Sequence, residues 1–511
     1  MDPTLSKEKP HFEVLEAVSS SSDVDDFSDV DKKKVLRKVD IGILPLFSLL
    51  YLLSFIDRTN IGNAKVEGIA QDLNLVGNQF NMVLLIFGVT YTLFEIPSNM
   101  ILRRVNPRIF LPATMVLWSI VMTLMGTVRN YAQLMVTRAL LGVFEASLFP
   151  GMSFMLSMYY SKSEVLIRQT LFFSAASMAG AFSGLLAAGI SQMDGLGGYE
   201  GWRWIFILEG LATFVVAFFA FFVFPMHPEK CSFLTPRERE YVLHKVKYSS
   251  NTDGQKMGKK LDNDESQMVR ADMGEDDSNS RHYVWAVFKD WQSWCMLMIY
   301  YGVCAPVAGM SIFTPIIISG FGHSNTKTQL MAVPVFIVGT IFGILQSFAC
   351  SRVGLRSPFL IFNFICMAIG YTICIAFDVR THTSAVYAAL FVISLGAYPA
   401  FPVVVIWFSN NLSGAYKRAV GMAFQISFGQ LATVYASNFY REKDFPQFTL
   451  GHSLELGFIL VGLLFVIICL CGYSYCNAKR RKDLAAGKYD SFTDEDFRRM
   501  GDKSPHFVYR L

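Results

Sequence analysis

The sequence predicts an all-α membrane protein, with twelve transmembrane helices in two six-helix bundles, on three observations. Apolar runs of about 20 residues, the length needed to cross ~30 Å of hydrocarbon, recur from residue 39 to residue 476. One long polar stretch interrupts them near the middle of the 511 residues. Basic residues gather at alternate ends of the runs. Only 17% of residues are charged and 52% are hydrophobic, against roughly a quarter charged in a soluble chain, and mean hydropathy is +0.37. Spans of this length are helices rather than strands, because backbone groups in lipid must bond within their own segment.

The first run, 39–57, follows Lys32, Lys33, Lys34, Arg37 and Lys38 and ends against Asp57 and Arg58. The second, 79–102, stops at Arg103 and Arg104, and the third, 108–128, opens on Arg108. The fourth, 131–158, carries Arg138 and Glu145. The fifth, 165–190, holds Gly180, Gly184 and Gly189, small residues that let helices approach closely. The sixth, 202–225, ends at Pro225. After the polar stretch come 289–319, 328–349, 357–377, 383–410, 418–440 and 453–476. Arg103, Arg104 and Arg108, then Lys162 and Arg168, then Arg352 and Arg356, then Lys417 and Arg418 fall on one side of this path. So do the approach to the first run and the exit at Lys479, Arg480, Arg481 and Lys482. The positive-inside rule therefore puts both termini in the cytosol.

Residues 1–38 begin with Pro, Glu and Lys, pass Ser19 to Ser22 and turn acidic, with no apolar core. That is a disordered cytosolic tail, not a signal peptide. Residues 39–225 form the N-terminal bundle, 226–288 a cytosolic linker, 289–476 the C-terminal bundle and 477–511 a cytosolic tail. The linker opens with a helix start, Thr235 as N-cap and Pro236 at the first helical position. The nine cysteines lie mainly in the spans, as buried free thiols, and no spacing builds a metal site. Neither a nucleophile elbow nor a phosphate-binding loop is present, so an enzyme and a cofactor are not expected. The net charge of +4 says little by itself, but the basic clusters flank spans rather than cover a soluble domain, so no nucleic-acid partner is expected. Asn411-Leu-Ser413 matches a glycosylation acceptor but falls beside a cytosolic loop. A monomer in the bilayer is expected.

Six ionisable residues lie in or against the N-terminal spans: Asp57, Arg58, Glu95, Arg138, Glu145 and Glu209. Each costs ~2.5 to 3.5 kcal/mol to insert, so it should face a partner or a watery cavity. Arg138 and Glu145 are seven residues apart, which puts them within ~20° of one helix face. A cavity-facing Arg offers a planar fork of donors that matches a carboxylate. A neighbouring Glu in low dielectric is suited to taking and giving a proton. Asp57 and Arg58 point roughly 100° apart on a helix, so they serve different partners. Arg58 could clamp an anion while Asp57 turns to a neighbouring helix, or both could cap the outer helix end. Tyr91 lies one turn before Glu95, and Glu95, close to Pro97, reads as a gate or structural residue. The C-terminal spans read as free of charge, so that side should offer neutral contacts. Gln346, Asn363, Tyr398, Asn410, Gln425, Gln430 and Asn438 are available, Gln425 first, with Phe401, Trp407 and Phe424 able to stack on a flat ring.

Phe55-Ile-Asp-Arg-Thr-Asn-Ile-Gly-Asn-Ala64 resembles the first-helix signature of the anion:cation symporter branch of the major facilitator superfamily. Phe94-Glu-Ile-Pro-Ser-Asn99, Arg138-Ala-Leu-Leu-Gly-Val-Phe-Glu-Ala146, Phe149-Pro-Gly151 and Gly201-Trp-Arg-Trp-Ile-Phe206 with Glu209 are similar to the same branch. The nearest resemblance is to the fungal allantoate and nicotinate permease group. Two departures stand out. The loop after the second helix reads Asn99-Met-Ile-Leu-Arg-Arg104, without the general Gly and Asp, and Ser351-Arg352 lacks the Asp that often precedes the Arg. The resemblance implies Arg58, Arg138 and Tyr91 at the substrate, Asp57 and Glu145 as proton carriers, and Glu95, Glu209, Arg103 and Arg104 as gating or structural residues. It implies proton-coupled uptake of a small organic anion at a plasma membrane by alternating access of the two bundles. The fifth span has no Gly-Pro pair of the kind that marks many antiporters, which favours symport. Nicotinate is the foremost single substrate, with allantoate, ureidosuccinate, pantothenate, biotin-like acids and small peptides as alternatives. A nutrient receptor that binds without transporting would keep the same Arg clamp.

Overall fold

The computed structural model describes Phe27 and residues 29–102, 105–160, 162–246, 280–413, 415–429, 431–436, 438–489, 491–493, 496–497 and 500–511. These residues form helices joined by turns, with no strand among them. Helix α1, Lys32–Val66, starts where the Asp31 carboxylate accepts the amides of Lys33 and Lys34. It continues well past the expected end at Asp57. Hydropathy falls there because Thr59, Asn60 and Asn63 are polar, but each is buried and bonded. Thr59 Oγ1 donates to the Ile56 carbonyl at 3.0 Å and Asn63 Nδ2 to Ser183 Oγ at 2.5 Å. Asp57 and Arg58 therefore sit inside a helix and cap nothing.

Helix α2, Gln79–Leu102, has an apolar stretch only as far as Glu95. Helix α3, Pro107–Met125, opens on the Asn106 cap. The expected fourth span is two helices, α4 at Tyr131–Glu145 and α5 at Leu148–Tyr159. Pro150 has no N–H to give the Ala146 carbonyl, and the ladder breaks there. Helices α6, Lys162–Ile190, and α7, Gly201–Val223, complete this half. Beyond it, the Thr235 hydroxyl accepts the Glu238 amide at 3.3 Å, and Glu238 accepts the Thr235 amide at 2.9 Å. This reciprocal cap starts a helix over 236–246, which Lys38 holds to α1 through Glu238 at 2.6 Å.

The second half comprises α8 (Trp291–Ser319), α9 (Asn325–Val353), α10 (Ser357–Ala376) and α11 (Thr383–Asn410). Helices α12 (Ala415–Gly429) and α13 (Leu431–Ala436) flank Gln430, which lies outside the described residues, and α14 (Thr449–Ala485) closes the half. Among the described residues, ten helical segments are long and apolar enough to cross a membrane: one each in α1, α3, α6 to α11 and α14, and the α4–α5 pair. Helix α2 and the α12–α13 pair occupy the places of the other two expected spans. Residues 500–511 fold back onto the second half. Asn477 and Tyr509 exchange two bonds of 2.9 Å, and the Arg510 carbonyl accepts Trp407 Nε1 at 2.9 Å and Asn411 Nδ2 at 3.1 Å. Asn411 is thus fully buried within the acceptor motif.

The halves meet where α1 and α8 end. Gly62 abuts the Ile312 carbonyl there. A Cβ on Gly88 would come within 2.7 Å of Val434, and one on Gly180 within 2.7 Å of Phe336, so bare backbones permit the approach. Hydrogen bonds between the halves gather at this end: Asn81 Nδ2 to the Tyr440 carbonyl at 3.0 Å, Asn325 Nδ2 to Glu67 at 3.2 Å, Gln192 to Thr326 at 3.2 Å.

A candidate substrate cavity between the halves

Helical periodicity builds the cavity walls. Tyr51, Phe55, Arg58 and Thr59 share one face of α1, and Leu84, Phe87, Gly88 and Tyr91 share one face of α2. Helix α8 presents Tyr300, Cys304, Val307, Ala308, Ser311 and Ile312, and Arg138, Phe149 and Phe401 complete the lining. The cavity measures about 1040 Å³, counting the space open to solvent.

Its two arginines differ. Arg58 Nε donates to Glu145 Oε1 at 2.5 Å, and Ser54 Oγ, one turn earlier on α1, donates to the same oxygen at 2.5 Å. The Arg58 guanidinium carbon lies 4.6, 5.0 and 5.7 Å from the ring centres of Tyr91, Phe55 and Phe87, a three-sided aromatic cage. Arg138 is 1% exposed and forms no ion pair; its Nε and Nη2 have no hydrogen-bond partner, and its nearest ring is Phe206 at 6.0 Å. Seven residues along one helix is ~10.5 Å of rise, and Glu145 gives its Oε1 to Arg58 and Ser54 of α1 while its Oε2 has no hydrogen-bond partner. Arg138 and Glu145 share a face of α4 and feel each other's charge, but the ion pair Glu145 makes is with Arg58.

Asp57 turns away from the cavity, as its angle to Arg58 requires. Its Oδ2 accepts Trp118 Nε1 at 3.1 Å and Thr213 Oγ1 at 3.4 Å, from α3 and α7. Glu209 also lies off the cavity, bonded to Asn60 Nδ2; Asn60 Oδ1 accepts Ser183 Oγ at 3.0 Å. That chain runs through Asn63 to the second half, where Gln329 Nε2 donates to the Asn63 carbonyl at 3.4 Å. Glu95 is buried beside the Ser427 hydroxyl of the second half rather than on the lining. Arg103 and Arg104 lie outside the described residues.

Gln425 does not line the cavity. It is fully buried, and its Nε2 donates to the Met296 carbonyl at 3.4 Å. Trp407 is tied to the Arg510 carbonyl and Phe424 packs on Phe288 and Trp294, so of the aromatic candidates only Phe401 reaches the lining. The second half instead contributes Tyr300, Cys304 and Ser311. They recur at four and seven residues along α8, a polar stripe that helical spacing alone would have revealed. The expectation of an uncharged second half is also overturned: Glu455 of α14 is fully buried. It lies within two turns of the helix start, where a polar flank hides it from a hydropathy reading. No group of three or more His, Cys, Asp or Glu among the described residues is placed to hold a metal.

The family model of the Major Facilitator Superfamily matches residues 47–437. This chain belongs to that superfamily. Among similar proteins is an uncharacterized transporter of Schizosaccharomyces pombe, 32% identical over 91% of this chain and 89% of its own length. A high-affinity nicotinic acid transporter of Saccharomyces cerevisiae is 28% identical, over 97% of this chain and 88% of its own. The fold matches a bacterial homolog of the human lysosomal transporter Spinster, inward-facing and occupied, at a TM-score of 0.60 and 14% identity, covering 83% of this chain and 95% of that one. It also matches the xylose transporter XylE of E. coli in a partially occluded inward-open form, at 0.59 and 15%, covering 83% and 96%. The chain is accordingly a multi-pass membrane transporter and not an enzyme.

Proposed function

We propose that this transporter takes up a small organic anion together with protons, and that nicotinate is the foremost substrate. The reading places it in the anion:cation symporter branch, with twelve spans, both termini in the cytosol of a plasma-membrane protein, and the shut end facing outward. Arg138 carries it. A buried cation whose donors have no partner is costly unless something arrives to meet it, and the group best matched to a planar fork is a carboxylate. Arg58, whose charge Glu145 already balances, supplies the second contact from its aromatic cage. A flat pyridine ring suits the apolar walls of Tyr91, Phe87 and Phe401. Glu145 is the acid joined to an arginine of the cavity, so its protonation would free Arg58 for the anion; Asp57 is the second proton carrier. The likeness to the yeast nicotinic acid transporter supports the substrate, as does the resemblance of the Asp57–Arg58 and Arg138–Glu145 motifs.

The test is uptake of labelled nicotinate, allantoate, ureidosuccinate and pantothenate in a yeast lacking its own permeases, with and without a proton ionophore. Accumulation of nicotinate that the ionophore abolishes is the expected result. Binding with no accumulation would make the chain a receptor, and accumulation of a different acid would replace the substrate.

A further inference from the structure

Glu455, two turns into α14, is fully buried, and neither carboxyl oxygen has a hydrogen-bond partner. Helix α8 faces it with bare backbone: a Cβ on Gly309 would come within 2.6 Å of Oε1. Helix α10 contributes Tyr371, whose hydroxyl faces that of Tyr440, and Cys374. The segment before α14 contributes Tyr440, whose hydroxyl lies 3.5 Å from His452 Nδ1. His452 precedes Glu455 by three residues on its own helix and is fully buried, with Nε2 unpartnered. Among the described residues, the titratable groups around Glu455 are thus Tyr371, Cys374, Tyr440 and His452, with no Lys or Arg. An ionised carboxylate without cation or donor is far too costly in such a place, whereas the neutral acid is tolerated.

The cluster is also wired to the shut end. The Tyr440 carbonyl accepts Asn81 Nδ2 from the other half at 3.0 Å, and its ring stacks on Phe313 at 4.3 Å. Phe313 directly follows Ile312, whose carbonyl abuts Gly62.

Resting on the proton-coupled reading above, we propose that Glu455 is an additional proton site, with His452, Tyr371 and Tyr440 as its relay. One proton from water adds to a carboxylate oxygen, giving the neutral acid that the shut end buries. The same proton returns to water when that end opens. The site lies apart from the anion cavity, so it sets when the outer end can close rather than what is carried.

The full chain in lipid nanodiscs, without substrate and in a Glu67→Gln background, tests this by hydrogen exchange of residues 438–455. Rates are corrected for the intrinsic effect of pH and read over roughly pH 5 to 8. Exchange should rise about tenfold with pH, as the acid ionises and the end opens. Glu455→Gln, and Glu455→Met should the amide impair folding, should stay protected throughout. A flat profile without these changes, or variants that keep the rise, would overturn the proposal. So would exchange that follows sodium at fixed pH and ignores protons. A chain that ignores nicotinate would leave this result standing, and a flat profile would leave the anion reading standing.

Discussion

Arg138 and Arg58 carry one charge each but stand in opposite situations. Arg58 is balanced by Glu145 at 2.5 Å, while Arg138 is desolvated with free donors. Arg138→Lys keeps the charge and discards the fork. Losing one charge-assisted hydrogen bond is worth about 1.5–3 kcal/mol, so half-saturation of uptake should rise roughly ten- to a hundredfold; unchanged affinity would remove Arg138 from the anion site. Glu145→Gln should act differently. The amide imitates the protonated acid and leaves Arg58 without its counter-charge, so binding and exchange of anion across the membrane should survive. Uphill accumulation driven by external acid should vanish. If the Gln variant still concentrates substrate under a proton gradient, the coupling role passes to Asp57, which keeps its bonds to Trp118 and Thr213.

Between elements, the second half is locked at the end opposite its contact with the first. Lys417, at the start of α12, pairs with Asp290 just before α8 and with Asp502 at 2.7 Å, and Gln292 Nε2 also donates to Asp502 at 2.7 Å. All three charged side chains are less than a tenth exposed. Breaking a buried pair strands the remaining charges and costs about 3–5 kcal/mol. Lys417→Ala should therefore lower the thermal unfolding temperature of the purified protein markedly, with Lys417→Arg close to the parent. Equal stability of the Ala variant would mean that water reaches the two aspartates.

Over the whole molecule, closure of the two halves joins polar groups that are far apart in sequence. Glu67 follows α1 and accepts Asn325 Nδ2 from the other half at 3.2 Å. Burial raises its carboxyl above the ordinary range, and the amides of Asn325 and Gln329 oppose that in part. A raised value means that the proton is bound more tightly in the shut form than in the open one. Its contribution to closure is full below the ordinary glutamate range and fades as pH climbs through the raised value. Exchange protection of the Asn325 turn should accordingly weaken from acid to neutral pH in the wild type. Glu67→Gln should remove that part of the dependence, and a variant indistinguishable from the parent would remove Glu67 from the closure.

Hydropathy over about 20 residues is a local quantity, so the all-helical membrane class and most of its long apolar helices were legible residue by residue. The 100° step between adjacent helical residues, equally local, already separated the partners of Asp57 and Arg58. What failed was whatever depended on a neighbour. Helix α1 outran its apolar run because Asn60 and Asn63 find Glu209 and Ser183, from segments more than a hundred residues away. Glu145 left Arg138 for Arg58 because another helix offered a nearer donor. Gln425 met a backbone carbonyl instead of the cavity, and Glu455 was enclosed by three elements that no window spans. Sequence determined which segments enter the membrane, since solvation acts on each segment alone. Tertiary structure decided which buried charges are balanced and which stand open, since the energy of a buried charge belongs to the groups packed around it.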